Sequence, residues 1–319
     1  NDLHFDRCSG LDPLRVTWRR ALDMNDRALR NVMVGLGGRL GGVPRETGFD
    51  ITAASEVMAI LCLAQSLEDL EARLSRIVIG TNAQDEPVYA RSVFAGPAMV
   101  ALLKEALQPN LAQTAEGGPA FIHGGPFANI AHGCSSVLST RLGLHYGDDV
   151  ITEAGFGFDL GAEKFLDIKC RLLSQGGEPV WPRCVVLVAT LRALKSHGGV
   201  KAADCKKPDL AALERGLPQL DKHLESVRAF GLQPVVAVNV FGEDPEEELA
   251  RLEQHCASRD VRIARCTGFA HGGEGGLELA RTVAEVLDAS DAHPPQPRFL
   301  YELEMPWLDK LRAIARTVY

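Results

Sequence analysis

Short apolar runs and helical periods alternate along the second half of this chain. Runs at 184–189, 235–239 and 263–264 each give way to a polar or glycine-containing stretch and then to helical spacing, the order expected of parallel strands joined by crossover helices. The first, Cys184-Val-Val-Leu-Val-Ala189, is apolar at consecutive positions and predicts a strand buried on both faces. After it, 210–230 predicts a helix pair broken at Gly216 and Pro218. Residues 245–256 predict an amphipathic helix whose Glu246, Glu247 and Glu248 favour its N-terminus, and a further helix ends near Leu287. Earlier in the chain, helical spacing covers 14–29, 51–63, 67–74 and 92–107, with Thr52 or Ser55 placed to cap the second. Strands are expected at 32–34, 77–79, 119–122 (buried) and 149–153, and a turn at 174–179. Pro294, Pro295 and Pro297 mark a linker, and 307–319 predicts a last helix. The pattern is that of an α/β protein.

Composition narrows the class. The 319 residues exceed one average domain, and 46% hydrophobic with 24% charged residues is ordinary for a globular protein. A net charge of -8 without a basic tract argues against a nucleic-acid surface. No apolar segment is long enough to span a bilayer and no signal pattern opens the chain, so a cytoplasmic protein without membrane partners is expected. The eight cysteines, Cys8, Cys62, Cys134, Cys170, Cys184, Cys205, Cys256 and Cys266, include no C-x-x-C and no zinc spacing, which predicts reduced, mostly buried thiols and no metal centre. A first residue of Asn and a closing helix without a capping signal suggest an internal piece of a longer chain.

Candidate chemistry gathers in loops. Beyond the 184–189 strand stand Arg192, Lys195 and His197, then Gly198 and Gly199, positive charge and backbone N–H groups suited to an anion. The segment His123-Gly-Gly-Pro-Phe-Ala-Asn-Ile-Ala-His132 predicts a strand, a glycine turn and a helix start. Gly124 and Gly125 would offer N–H groups there, and His123, Asn129 and His132 side-chain donors. Asp159 and Glu163 suit a substrate amine or a cation, or equally a helix cap. Arg45, Glu46 and Asp50 fit a site rim or a solvated turn. Asn239 ends a strand, and Phe241 and Phe269 each follow a strand end, where two aromatics can clamp a flat ring. The glycines of 35–42 contain no G-x-x-x-x-G-K-[ST].

Val188-Ala-Thr-Leu-Arg-Ala-Leu-Lys-Ser-His-Gly-Gly199 closely resembles the second signature of the formate–tetrahydrofolate ligases, departing only at Leu191, where that pattern has Ile or Val. The likeness extends through Arg45-Glu-Thr-Gly-Phe-Asp-Ile-Thr, Glu56-Val-Met-Ala-Ile-Leu, His123-Gly-Gly-Pro-Phe-Ala-Asn-Ile-Ala-His-Gly, Glu153-Ala-Gly-Phe-Gly and Gly272-Gly-Glu-Gly-Gly. By these motifs the chain is identified as a member of that family. The resemblance implies ATP-dependent joining of formate to tetrahydrofolate through formyl phosphate, with Mg on the nucleotide and a monovalent cation left open, in a cytoplasmic homo-oligomer. It implies a P-loop-NTPase-like parallel-sheet domain, incomplete here, at 1–148. A Rossmann-like α/β domain with the folate loops would follow at 149–290, and the start of a third domain at 291–319. Phe241 and Phe269 match the pair expected to sandwich the folate ring, the second position being typically Trp in relatives. Arg192, Lys195, His197, His123 and His132 are then the candidate catalytic residues. Asn129, Phe156, Asp159 and Asn239 are candidate substrate contacts, and Gly124, Gly125, Gly198 and Gly199 the phosphate cradle. The family's phosphate-binding loop is absent from these residues, so the 319-residue chain alone is expected to show no ligase turnover. Two rivals stand beside this reading: a ligase-like scaffold subunit without catalysis, and a Rossmann dehydrogenase using 35–42, whose glycine spacing departs from the NAD fingerprint.

Overall fold

Residues 14–26 form no helix, and of the expected 14–29 helix only a single 3-10 turn at Arg27–Leu29 is present. Thr17 donates its backbone N–H to the Ile79 carbonyl at 3.1 Å, so a distant strand takes the backbone that the local period assigns to a helix. The computed structural model describes residues 10–175, 177 and 179–319; Cys8, and Gly176 and Glu178 of the expected turn, lie outside them. The chain divides into two compact units, the first ending at Phe156 and the second spanning Gly157–Tyr319.

In the first unit, β1 (Arg20–Ala21) runs parallel to β4 (Phe49–Asp50), and β2 (Val32–Val34) forms an antiparallel hairpin with β3 (Arg45–Thr47). α1 (Glu56–Leu63) starts at Ser55, whose hydroxyl accepts the Met58 N–H at 3.1 Å. α2 (Leu67–Leu74) follows, then the antiparallel pair β5 (Val78–Thr81) and β6 (Pro87–Tyr89), and α3 (Ala95–Leu103). Leu61, Ala64, Leu70, Leu74, Ile77, Ile79, Val88 and Leu107 form the core of this unit. β7 (Asn110–Gln113) and β8 (Pro119–Ile122) make another hairpin, closed by Gly117 at φ +89°. Ile122 is exposed, so 119–122 is a hairpin arm and not the buried strand its composition predicts. α4 (Val137–Tyr146) begins only at Ser136, well after the glycine turn. Residues 149–153 form no strand; Ala154 merely bridges Cys134.

The second unit opens with wide helical turns at Phe158–Ala162 and Phe165–Cys170, continued by α5 (Arg171–Leu173). Then come β9 (Val185–Ala189), α6 (Leu191–His197), α7 (Leu210–Ala229), β10 (Pro234–Asn239), α8 (Glu246–Ser258), β11 (Arg262–Cys266), the short α9 (Gly268–His271), α10 (Leu277–Asp291) and α11 (Trp307–Val318). The strands are parallel, with β10 between β9 and β11. Leu191, Leu194, Leu213, Leu217, Leu220 and Leu224 pack with Val236, Val238, Leu249, Leu252 and Cys256 in one core. α7 is one continuous helix through Pro218, not a broken pair. Its Gly216 lies so near α6 that an added Cβ would meet the Leu194 carbonyl oxygen at 1.9 Å. Strand β9 is covered on one face only. Val186 and Val188 pair with Val235 and Ala237 of β10, yet Val188 is 66% exposed, because α10 lies along β10 and β11 and leaves this edge open. The architecture is mixed α/β with small parallel sheets and, among the described residues, no closed barrel. No helix among them is long and apolar enough to cross a membrane, and no described cysteine forms a disulfide.

Candidate functional site

The candidate residues fall on both units. His123, Gly124, Gly125, Asn129, His132 and Phe156 belong to the first. Asp159, Arg192, Lys195, His197, Gly198, Gly199, Asn239, Phe241 and Phe269 belong to the second.

On the first unit the histidines are internal struts. His123 is buried, with Nε2 2.7 Å from the Ala106 carbonyl and Nδ1 2.5 Å from the Ser136 hydroxyl. A carbonyl only accepts, so Nε2 carries a proton; in the neutral ring Nδ1 then accepts from Ser136. Ser136 is the N-cap of α4 and accepts the Ser139 N–H at 2.9 Å, so His123 ties the 123–136 loop to the start of that helix. His132 is also buried, its Nε2 3.2 Å from the Ala59 carbonyl. Gly124 sits at φ +71°, and an added Cβ would meet Cys62 Sγ at 2.1 Å. Asn129 is exposed. Phe156 is exposed as well and holds φ +63°, an uncommon conformation for a bulky residue.

On the second unit Arg192, Asn239, Phe241 and Phe269 stand at the carboxyl ends of the strands, while Lys195, His197, Gly198 and Gly199 lie along α6 and at its end. Thr190 caps α6 by accepting the Ala193 N–H at 3.0 Å, which places Arg192 in the first helical turn. Its guanidinium carbon lies 4.0 Å from the Phe241 ring centroid, and its Nη2 3.5 Å from Glu243 Oε2. Lys195 points inward. At 1% side-chain exposure it donates to Glu248 Oε2 at 2.8 Å and to the Lys207 carbonyl at 2.9 Å, and Glu248, at 2%, accepts the Asp209 N–H at 2.5 Å. This pair fastens α6, the loop before α7 and α8 together. His197 is exposed. The N–H groups of Gly198 and Gly199 are not turned to an anion as their sequence suggests. They donate to Leu194 and Ser196 carbonyls at 2.9 and 3.0 Å, closing the end of α6. Gly198 is needed for packing, since a Cβ there would stand 1.9 Å from the Ala212 carbonyl oxygen. Asn239 is exposed at the end of β10, and Phe241 is held by a turn in which its N–H donates to Asp244 Oδ2 at 2.9 Å. Phe269, beyond β11, is fully exposed at 102%.

The family model described as formate–tetrahydrofolate ligase matches residues 1–319. The chain belongs to that family. Similar curated proteins include the formate–tetrahydrofolate ligases of Myxococcus xanthus (strain DK1622), 63% identical over 319 residues, and of Zymomonas mobilis subsp. mobilis, 53% identical over 321. All of this chain is covered in both, against 57% and 56% of those relatives, so it spans little more than half their length.

This ligase-family chain also carries a charged group that its sequence does not flag, Asp167, beside the candidate Glu163. Glu163 and Asp167 are both buried in the wide-turn helix of the second unit. Burial, then the Asp167 charge, raises Glu163 to about 7. Asp167 is raised by burial to about 6, opposed by the Leu300 N–H and Arg171. Asp167 Oδ1 accepts that N–H at 3.0 Å, and the Arg171 guanidinium stacks 3.8 Å from the Phe299 centroid, so this helix holds the 299–301 segment. Asp159 lies one turn earlier, its carbonyl accepting the Tyr319 hydroxyl at 3.2 Å. Glu248 had a readable signal. It shares the apolar stripe of Leu252 and Cys256 at four-residue steps, where a charge requires a partner.

Proposed function

We propose that this chain is part of an enzyme that joins formate to tetrahydrofolate at the expense of ATP, and that the carboxyl edge of β9, β10 and β11 is its folate-binding face. The observation that carries the reading is the placement of Phe241 and of a wholly exposed Phe269 beyond adjacent parallel strands, at the edge where open α/β sheets take ligands. An exposed aromatic with nothing packed on it suits a stacked heteroaromatic ring. The P-loop-NTPase-like assignment of 1–148, the Rossmann-like assignment of 149–290 and the start of a third domain at 291–319 belong to the same proposal, as do cytoplasmic location and homo-oligomeric assembly.

Formate is a poor electrophile. Transfer of the ATP γ-phosphoryl group to a formate oxygen gives formyl phosphate and ADP. The folate amine then attacks the formyl carbon, the C–O bond to phosphate breaks, and the amine proton is lost, leaving 10-formyltetrahydrofolate and inorganic phosphate. The protein's part is positioning and preorganised charge. His197 and Asn239, both exposed, are proposed to face the reactants. Lys195, His123 and His132 are proposed to act through the loops they fasten, since each is buried and hydrogen-bonded. Mg is proposed to enter with the nucleotide, held by its phosphate oxygens.

The full-length enzyme, supplied with ATP, formate and tetrahydrofolate, is expected to form 10-formyltetrahydrofolate. Phe269→Ala is expected to raise the KM for tetrahydrofolate about tenfold, from lost stacking area. Product formation by the parent with the folate KM unmoved in the variant would remove Phe269 from the site; no product from the parent would remove the ligase reading.

A further inference from the structure

Three side chains stand in strand order along the carboxyl edge of the second unit's sheet: Arg192 beyond β9, Phe241 beyond the central β10, and Phe269 beyond β11. The Arg192 guanidinium is laid on Phe241, its carbon 4.0 Å from the ring centroid. Its Nη2 is steered by Glu243 at 3.5 Å, a carboxylate that Lys206 also approaches at 3.6 Å. Its Nε is buried without a hydrogen-bond partner among the described residues. This is a poor posture for an anion ligand, which needs the N–H edge of the guanidinium turned outward. The helix does not favour the charge either, because a cation in the first turn of α6 opposes the helix dipole. The contacts that account for the placement are the aromatic ring and the Glu243 carboxylate.

We propose that Arg192 is a positioning residue for the flat ring of the folate substrate. Stacked behind Phe241, it fixes that ring's plane, and the slot for the substrate is the opposite face, on the side of β11 and Phe269. The proposal rests on the folate-stacking reading given above. A guanidinium on one face restricts the rotation of Phe241, so less freedom is lost when a ligand stacks on the other. It also draws π-density toward itself, which suits the free face to an electron-rich, amino-substituted ring.

The test is steady-state kinetics on the full-length enzyme with Arg192→Ala, Arg192→Lys, Phe241→Ala and the double variant R192A/F241A. Arg192→Ala is expected to raise the KM for tetrahydrofolate about tenfold, with the KM values for ATP and formate and kcat within about twofold. Arg192→Lys, which keeps a cation and serves as the folded control, is expected to recover part of the loss. In the F241A background the Arg192 substitution is expected to add nothing further to the folate KM. A folate KM unmoved by Arg192→Ala, a rise confined to the KM for ATP or formate, or additive losses in the double variant would overturn the proposal while leaving the ligase reading in place. A parent with neither turnover nor tetrahydrofolate binding would overturn both.

Discussion

A lysine at 1% exposure requires a counter-charge within hydrogen-bond reach, and Lys195 finds it in Glu248 at 2.8 Å. Both were placed by the helical period itself: Lys195 falls on the same stripe as Leu191 and Leu194, and Glu248 on that of Leu252 and Cys256. The burial was therefore legible, but the partnership was not, because fifty-three positions separate the two residues. Removing one partner leaves the other charge buried and unpaired. Lys195→Met is expected to cost about 3–5 kcal/mol in urea unfolding, and K195M/E248L to recover most of it. A double variant as unstable as the single would show that the pair is not what the site requires. The same contrast separates Lys195 from His197 in the signature loop. Two positions apart in the motif, one faces the core and the other solvent, because His197 falls off the stripe that carries Lys195.

At the scale of elements, the wide-turn helix starting at Phe158 shows what a local pattern hides. Asp159 and Glu163 look like a capping or ligand pair, whereas Glu163 and Asp167 lie buried together one turn apart. Their pKa values, about 7 and about 6, stand above the ordinary carboxylate range near 4, so between about pH 4 and 7 the folded chain holds more protons than the unfolded chain. The stability contributed by the protonated pair is fully present below about pH 4 and is lost as pH rises through about 6 and 7. Glu163→Gln, which keeps the shape of the neutral acid, is expected to gain stability relative to the parent between pH 5 and pH 8, read as the difference in urea midpoints at matched pH. A pH-independent difference would sink the assignment. Strand elements show a related limit. The parallel strands after residue 184 were legible because β-branched runs recur with crossover helices between them. The 119–122 run reads the same way but folds as one arm of an exposed hairpin, since Gly117 turns the chain back at φ +89°.

At the scale of the whole molecule, the second unit has a core of its own, built on β9 and β10 with α6, α7 and α8, and its carboxyl edge carries Arg192, Phe241 and Phe269. A fragment spanning Gly157–Tyr319 is expected to unfold cooperatively, measured as coincident circular-dichroism and fluorescence transitions in urea; broad, non-coincident transitions would show that it does not fold alone. The amino-acid sequence determined the α/β class, the parallel strands of this unit, most helix starts and the family, because period, capping chemistry and signature motifs are local properties of consecutive residues. Tertiary structure alone decided which candidates meet. It put Arg192 on Phe241 instead of on an open anion site, engaged the Gly198 and Gly199 N–H groups in a helix end, and turned His123, His132 and Lys195 inward. Those outcomes depend on contacts between segments far apart in the chain, where the neighbour that completes a charge, a donor or a ring face is chosen by packing.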